Sequence, residues 1–407
     1  MEIPINYQIS DSRDNKYYKN ITFSGYKKTH VYQALEKSLL ESKLEDSCKW
    51  SIEIIISGYI EELWEKLLLF VCKNINIGNI EMISYFKQRY KYYISLIQYK
   101  NIKNCLELRN NQQFRNLICE IICMLSMSKK MKLDSLKKVK KSELSLDILK
   151  ERMKAKTIIN NHVIKVDDPE EIKIVSNEFL FCIRNNELQN TLYWLSWMIE
   201  WEKLNIKKLK VFKCAYRPQD NVDNKLSYDL LWLIWDIIIK ETQNKKFRNE
   251  IESLFYLFKS NYKKTKKNKR LILVVYAIKL ISYGGFKEPS LIERYDILIR
   301  VSTGINLLYK EKKRYEDSTE EGLKKLKFYN IHRDSLRTNE NPYKKPKKKK
   351  AKKPKKPKNI SDKSLEKLNT FMNVGIIRRD NYESERIIHY ARPDPTDTIK
   401  YINIGKK

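Results

Sequence analysis

The sequence predicts a mainly all-α protein, a multi-helix bundle or an irregular stack of helical hairpins, with a small non-helical N-terminal segment and a disordered basic tail. The first observation is the placement of glycine and proline. No proline lies between Pro4 and Pro169, and no glycine lies between Gly78 and Gly284. Sheet proteins need tight turns that favour these residues, so a helical architecture requires fewer unusual connections.

The second observation is the spacing of the apolar residues. They recur every three or four positions in 60–71 and 114–125, and neither stretch shows the strict alternation of a strand. A helix start is predicted at Pro169, because Asp168 supplies a capping carboxylate, proline suits a first turn, and two glutamates follow.

The elements are expected in the following order along the chain. A segment up to about residue 28 contains two short strands around Ile21 to Phe23. Helices then follow near 30–45, 47–57, 59–75, 79–98, 103–128, 144–153, 169–184, 187–205, 224–242, 246–261, 268–283 and 290–312.

Shifts in amino-acid composition along the chain suggest that it has four parts. We expect an N-terminal helical domain at 1–165, a C-terminal helical domain at 166–330, a disordered lysine-rich linker at 331–361, and a short helix plus extended docking peptide at 362–407. Within the last part, Ile387 to Ile404 contains two prolines that block a helix, so this segment is a candidate peptide for binding a protein partner.

The charge balance narrows the classes of function. The chain has 82 Lys and Arg against 50 Asp and Glu, a formal charge of +32, while 42% of its residues are hydrophobic. That hydrophobic share supports a core and argues against wholesale disorder. The charge should attract polyanions, nucleic acid first. An A/T-rich genome would also raise lysine content, but it would scatter the lysines rather than separate them from acids.

The densest basic run spans Tyr343 to Lys358 and contains no acidic residue. Self-repulsion and three prolines predict an extended, solvated segment. Subtracting its eleven lysines from +32 leaves +21, so the rest of the chain is basic as well. The predicted phosphate-binding residues of this tract are Lys344, Lys345, Lys347, Lys348, Lys349, Lys350, Lys352, Lys353, Lys355, Lys356 and Lys358.

Further acid-free windows occur at 253–287 and 203–219, and a weaker one at 129–141 surrounds a lone aspartate. These windows face phosphate in one interpretation and are solvated loops without a partner in the other. The predicted nucleic-acid-binding residues here are Lys263, Lys264, Lys266, Lys267, Lys269, Arg270, Lys207, Lys208 and Lys210.

Aromatic clusters allow two interpretations. Trp194, Trp197 and Trp201 share a helix face, as do Trp232 and Trp235. Because apolar residues surround them almost completely, a buried seam with each indole N–H hydrogen-bonded is favoured over a base-stacking platform. Many tyrosines adjoin lysine, a pattern typical of single-strand binders and also of chance neighbours in a biased composition.

No catalytic or metal-binding pattern is apparent. Phosphate-binding glycine loops, nucleophile elbows and HExxH are absent, and no cofactor is predicted. Cys119 and Cys123 share a helix face, but no third ligand lies near them in sequence, so buried thiols are expected. Seven cysteines, mostly in apolar stretches, and an N-terminus without a signal-peptide pattern predict an intracellular location, and no apolar run is long enough for a membrane span.

The stretches Leu35 to Phe70, Leu192-YWLSWMIEWEK and Leu230-LWLIWDIIIKE carry a resemblance. From about residue 25 to 330 the chain resembles an uncharacterised helical protein family of large DNA viruses of protists and algae (mimivirus-like and algal viruses). The resemblance implies a setting rather than a chemistry, namely the infected cell's cytoplasm or viral factory, or the virion.

The leading hypothesis is a non-enzymatic protein that binds nucleic acid, DNA rather than RNA, without sequence preference and in association with a viral genome or virion. The alternative is a helical, capsid-associated scaffold, in which the lysine tract is a tether or nuclear-import signal and Ile387 to Ile404 binds a viral protein. An accessory role in replication or transcription rests only on charge and setting.

Overall fold

The computed structural model describes residues 3–13, 15–209, 213–242, 245–283 and 295–316. All of them belong to a compact unit, residues 1–332, while the second unit, residues 333–407, lies outside the described residues. The helices are α1 (Asn15–Tyr18), α2 (Lys28–Leu40), α3 (Leu44–Ile56), α4 (Ile60–Phe70), α5 (Met82–Tyr99), α6 (Cys105–Arg109), α7 (Gln112–Met127), α8 (Leu146–Leu149), α9 (Glu170–Arg184), α10 (Leu188–Leu209), α11 (Leu230–Glu241), α12 (Lys245–Lys259), α13 (Lys267–Ile281) and α14 (Tyr295–Lys313).

The predicted all-α class is confirmed. In the described ranges no strand forms, and the two short strands expected around Ile21 to Phe23 are replaced by a single antiparallel bridge between Ile21 and Lys27. No helix of the described residues is both long and apolar enough to cross a membrane. The disordered tail, the linker and the docking peptide of the sequence prediction lie outside the described residues.

Several predicted helix ends move because asparagine and serine interrupt the chain. The helix expected at 30–45 ends at Leu40, and Ser42 adopts a positive φ of 57° before α3 begins. The helix expected at 103–128 is two helices: the side chain of Asn104 caps α6, and that of Asn111 caps α7 by accepting from the N–H of Phe114. The expected helix at 144–153 is a series of short helical turns.

The start of α9 corrects the predicted cap. The helix begins at Glu170, but Asp168 makes no capping hydrogen bond to it. Its carboxylate instead accepts from the guanidinium of Arg217, at 2.6 and 2.8 Å, and from the N–H of Ala215. A buried cation 49 residues away outweighed the local cap, because an unpaired guanidinium in the core is far less stable than a helix start without a side-chain cap.

The tryptophans lie in the core, as predicted. Trp194, Trp197, Trp232 and Trp235 are at most 2% exposed. Phe255 and Phe258 of α12 contact the rings of Trp232 and Trp235, and Tyr262, just after α12, contacts Trp232. These aromatic partners of α11 therefore come from α12 and the residues after it rather than from α10. The Trp232 indole donates to Leu226 O, whereas the Trp235 indole N–H has no acceptor among the described residues, contrary to expectation.

Helices from the two sides of residue 165 pack together. α5 packs on α12, and α14 packs on α7 and α3. Lys312 of α14 forms a buried ion pair with Glu53 of α3, within the same compact unit. The division of this unit into two domains at residue 165 therefore stays a prediction.

Candidate nucleic-acid interface

The predicted phosphate-binding residues separate into three groups. The eleven lysines of the tract and Lys210 lie outside the described residues, and Lys208 lies near the end of α10. Lys207, Lys263, Lys264 and Lys269 are exposed. Lys266, Lys267 and Arg270, in the same acid-free window, form ion pairs with residues from distant segments.

Arg270 is the clearest case of a predicted surface cation that is buried. It is 3% exposed, and its guanidinium donates to both carboxylate oxygens of Glu65 in α4, at 3.1 and 2.7 Å. The same guanidinium also donates to the carbonyl oxygens of Leu257, Phe258 and Ser260 at the end of α12. Arg270 therefore ties α4, α12 and α13 together, and its burial keeps it from contacting phosphate.

Lys267 lies at the start of α13, where the helix dipole disfavours a cation. Its ammonium is 2.6 Å from a carboxylate oxygen of Glu202 and 2.8 Å from one of Asp229. Asp229 also caps α11 and accepts from the hydroxyl of Tyr262. The two carboxylates compensate for the unfavourable position, so this lysine holds α10, α11 and α13 together rather than facing solvent.

The exposed basic residues that do converge line a groove between α2, α4, α13 and the segment after α7. Two clefts, of about 420 and 690 Å³, share Lys73, Asn74, Lys269 and Ile272 and so form one groove. Its lysines come from three separate parts of the chain and are Lys66, Lys73, Lys130, Lys132 and Lys269. Apolar side chains, among them Leu39, Phe70 and Met131, contribute much of the lining.

The segment after α7 reaches the groove because it pairs with the end of α4. The last helical turn there is a π turn, Val71–Ile75. Its free carbonyl groups accept from the chain that returns alongside: Met131 N–H donates to Asn74 O at 2.7 Å and Leu133 N–H donates to Lys73 O at 3.1 Å. A side chain at Gly78 would approach Lys129 O to 2.6 Å, so only glycine allows this close passage.

Lys130 is in the groove lining but is engaged by the protein itself. Its ammonium donates to the carbonyl oxygens of Leu125, Ser126 and Ser128 at 2.7–2.9 Å, and so it caps the C-terminus of α7. Burial lowers the pKa of Lys130 to about 8. We therefore assign this residue to the fold rather than to a ligand.

Three groove lysines remain available. Lys66, Lys132 and Lys269 are exposed, and none of them forms an ion pair with a described residue. Lys73 pairs with Glu36 at 3.2 Å on the surface, a contact worth little in water. The other acid of the lining, Asp134, pairs with Lys279.

Sequence inspection found Lys269 and, within the weaker window, Lys132, but it missed Lys66 and Lys73. Lys66 follows three glutamates, at positions 61, 62 and 65, so it does not lie in a window without acidic residues. Lys66 and Lys73 are seven residues apart, which places them on one helix face, and this spacing was the available signal. The acids near Lys66 in sequence include Glu65, which faces Arg270 instead.

The window 203–219 and the lysine-flanked tyrosines contribute less than the sequence suggested. Arg217 is buried against Asp168. Tyr18, Tyr93 and Tyr262 are also buried and cannot stack on a base, whereas Tyr17, 39% exposed, remains accessible.

The expected burial of Cys119 and Cys123 is confirmed, but the fold brings them a third thiol that their spacing in sequence does not show. Cys48 of α3, 71 residues before Cys119 in the chain, lies against them, with the Sγ atoms of Cys48 and Cys119 3.8 Å apart. All three Sγ atoms lie within 4.8 Å of one another.

Comparison with protein-family models, with curated proteins and with solved structures finds no match for this chain.

Proposed function

We propose that this chain is a non-enzymatic protein that binds nucleic acid without sequence preference, DNA in the first place, through the groove and the lysine tract at 343–358. The resemblance to proteins of large DNA viruses supports a genome-associated role in the viral factory or virion. The observation that carries the proposal is the convergence of Lys66, Lys132 and Lys269 on one groove, without acidic partners among the described residues.

The chemistry of the lining supports phosphate contact rather than base reading. Lysine presents a compact charge that attracts phosphate from many directions, whereas arginine, with its planar pair of donors, is the residue that most often reads guanine. Among the described residues, no arginine lines either cleft. A ligand held mainly by ammonium groups is bound for its charge, and its sequence matters little.

Two further features of the groove suit a polynucleotide. Its apolar lining can contact a sugar or base while the lysines hold the backbone. Asn74 lies where the two clefts meet, and its side-chain N–H₂ has no acceptor among the described residues. This nitrogen is buried, and a turn of the side chain towards the groove would let it donate to a phosphate oxygen.

The test is the salt dependence of binding by the full chain. Affinity for DNA oligonucleotides of unrelated sequences should fall linearly on logarithmic axes, with a slope of about 0.9 per phosphate contacted. Deleting Tyr343 to Lys358 should flatten the slope. Binding that does not respond to salt, or that differs strongly between sequences, would refute the proposal.

The contribution of the groove is measured with a triple variant, Lys66→Gln, Lys132→Gln and Lys269→Gln. We expect the slope to fall by up to about 0.9 for each lysine that contacts phosphate, in the full chain and in the deletion variant. The matched control neutralises Lys100, Lys103 and Lys225, which are also exposed, form no ion pair with a described residue and lie outside the groove. Equal losses in the two triple variants would mean that net charge alone, and not the groove, binds DNA.

A further inference from the structure

A three-cysteine cluster lies in the core between α3 and α7. Cys48, Cys119 and Cys123 are 2%, 3% and 0% exposed. Cys119 and Cys123 are four residues apart and therefore share a face of α7, and the packing of α3 on α7 adds Cys48. None of the seven cysteines of the chain forms a disulfide bond, and the other four lie outside this cluster.

Arg115 provides a second, independent observation. It lies one helical turn before Cys119, on the same face of α7, and is fully buried. Its guanidinium donates to the carbonyl oxygens of Arg109 and Tyr7 and to the side-chain oxygens of Asn110 and Asn306. It also stacks 3.4 Å from the ring centre of Tyr309, but it forms no ion pair with any described carboxylate. Burying a cation without a counter-anion is unfavourable, so a negative centre nearby would stabilise it.

We propose that Cys48, Cys119 and Cys123 bind one Cu(I) ion as a three-coordinate thiolate centre. Three sulfur donors in an apolar pocket exclude calcium and magnesium, which take oxygen ligands. Zinc in structural sites takes four ligands, and no carboxylate or imidazole of the described residues joins the cluster. Soft thiolates without a fourth donor suit Cu(I).

The geometry agrees with this ion. A metal–sulfur bond of about 2.3 Å places the three sulfurs of a planar centre about 4 Å apart. The measured separation of 3.8 Å between two of them, and the 4.8 Å limit for all three, require only small side-chain adjustments. On binding, Cu(I) replaces the thiol protons, which pass to solvent, and no electron is transferred.

The experiment uses the full chain, reduced and handled without oxygen, titrated with Cu(I) against a competing chelator. We expect one tightly held copper per chain, and X-ray absorption should find a shell of three sulfurs. Cys48→Ala and Cys123→Ala should each lose stoichiometric binding. Cys72→Ala is the matched control, since Cys72 is fully buried but outside the cluster, and it should bind normally.

Three results would overturn the proposal: no stoichiometric copper, unchanged binding in Cys48→Ala, or a shell of two sulfurs in the wild-type protein. The absorption measurement needs no substitution, so it decides the question even if a cysteine variant does not fold. Tetrahedral binding of Co(II), used as a probe for zinc, in place of Cu(I) would also contradict it. The outcome is independent of DNA binding.

Discussion

The two sides of the first turn of α13 differ in whether their basic side chains pair with acidic residues or face the groove. Lys267 and Arg270 face inward and pair with carboxylates of α4, α10 and the start of α11, while Lys269, between them in sequence, faces the groove. At 100° per residue, neighbours on a helix point in different directions, so a single run of basic residues divides between core and surface. A window without acids in sequence is therefore not a region without acids in space.

The largest effect on stability should come from substituting a residue on the inward side of this turn. Arg270→Met leaves the partly buried Glu65 without its main partner and three carbonyl groups without a donor, so we expect a loss of about 3–5 kcal/mol in the free energy of unfolding. Denaturant unfolding measures it. Lys269→Met is the control and should leave the denaturant midpoint nearly unchanged. Similar losses of stability in the two variants would contradict the assignment of Arg270 to the inward side of the turn and Lys269 to the outward side.

The same ion pair should make stability depend on acid pH. Burial would raise the pKa of Glu65, but hydrogen bonding and charge from Arg270 and Lys266 outweigh it and hold that pKa below its ordinary value. The stabilisation from Glu65 is therefore present above about pH 4.3, the value in the unfolded chain, and is lost as the pH falls through the lower folded pKa.

The substitution Glu65→Gln tests this direction of the pH dependence of stability. The difference in unfolding free energy between wild type and variant should shrink as the pH is lowered below about 4. Glu61→Gln, at an exposed position on the same helix, is the control and should show no such convergence. A difference that stays constant down to pH 3 would show that the charge of Glu65 does not contribute.

A smaller effect is expected at the edge of the groove. Gly78→Ala inserts a methyl group against Lys129 O and should push away the segment that carries Lys132, at a cost of about 1–3 kcal/mol. Because no charge changes, a reduced salt slope for DNA binding would show that the position of the lysines matters. An unchanged slope together with the expected destabilisation would indicate that Lys132 does not contact DNA.

The smallest expected effect is that of Lys269→Gln alone. It should lower the salt slope by about 0.9 and leave stability unchanged, the reverse of the result for Arg270. Lys100→Gln serves as the single-charge control. If both substitutions change the slope equally, the outward side of α13 has no special role.

Much of the fold was predictable from local pattern. The apolar spacing of 60–71 and 114–125 and the all-round apolar character of the tryptophan helices determine helices and burial, since each depends on residues within two or three turns. The helix ends were less predictable. The side chain of Asn111 accepts from a backbone N–H and so starts a separate helix. The carboxylate of Asp168 pairs with a distant arginine instead of capping α9.

The candidate sites were predictable only in part. Lys269 was found because its window lacks acids, but nothing local distinguished it from Arg270. The copper proposal depends on Cys48, which the packing of α3 on α7 brings to Cys119 from 71 residues away.

The sequence by itself determined the helical class, the buried tryptophans and the basic excess of this protein, because these follow from composition and from the period of the apolar residues. Only the tertiary structure decided which cations pair with Glu65, Glu202 and Asp229, which lysines share a groove, and which cysteines meet. The physical reason is that charge pairing and metal coordination depend on distances of a few ångströms between side chains that the chain order leaves far apart.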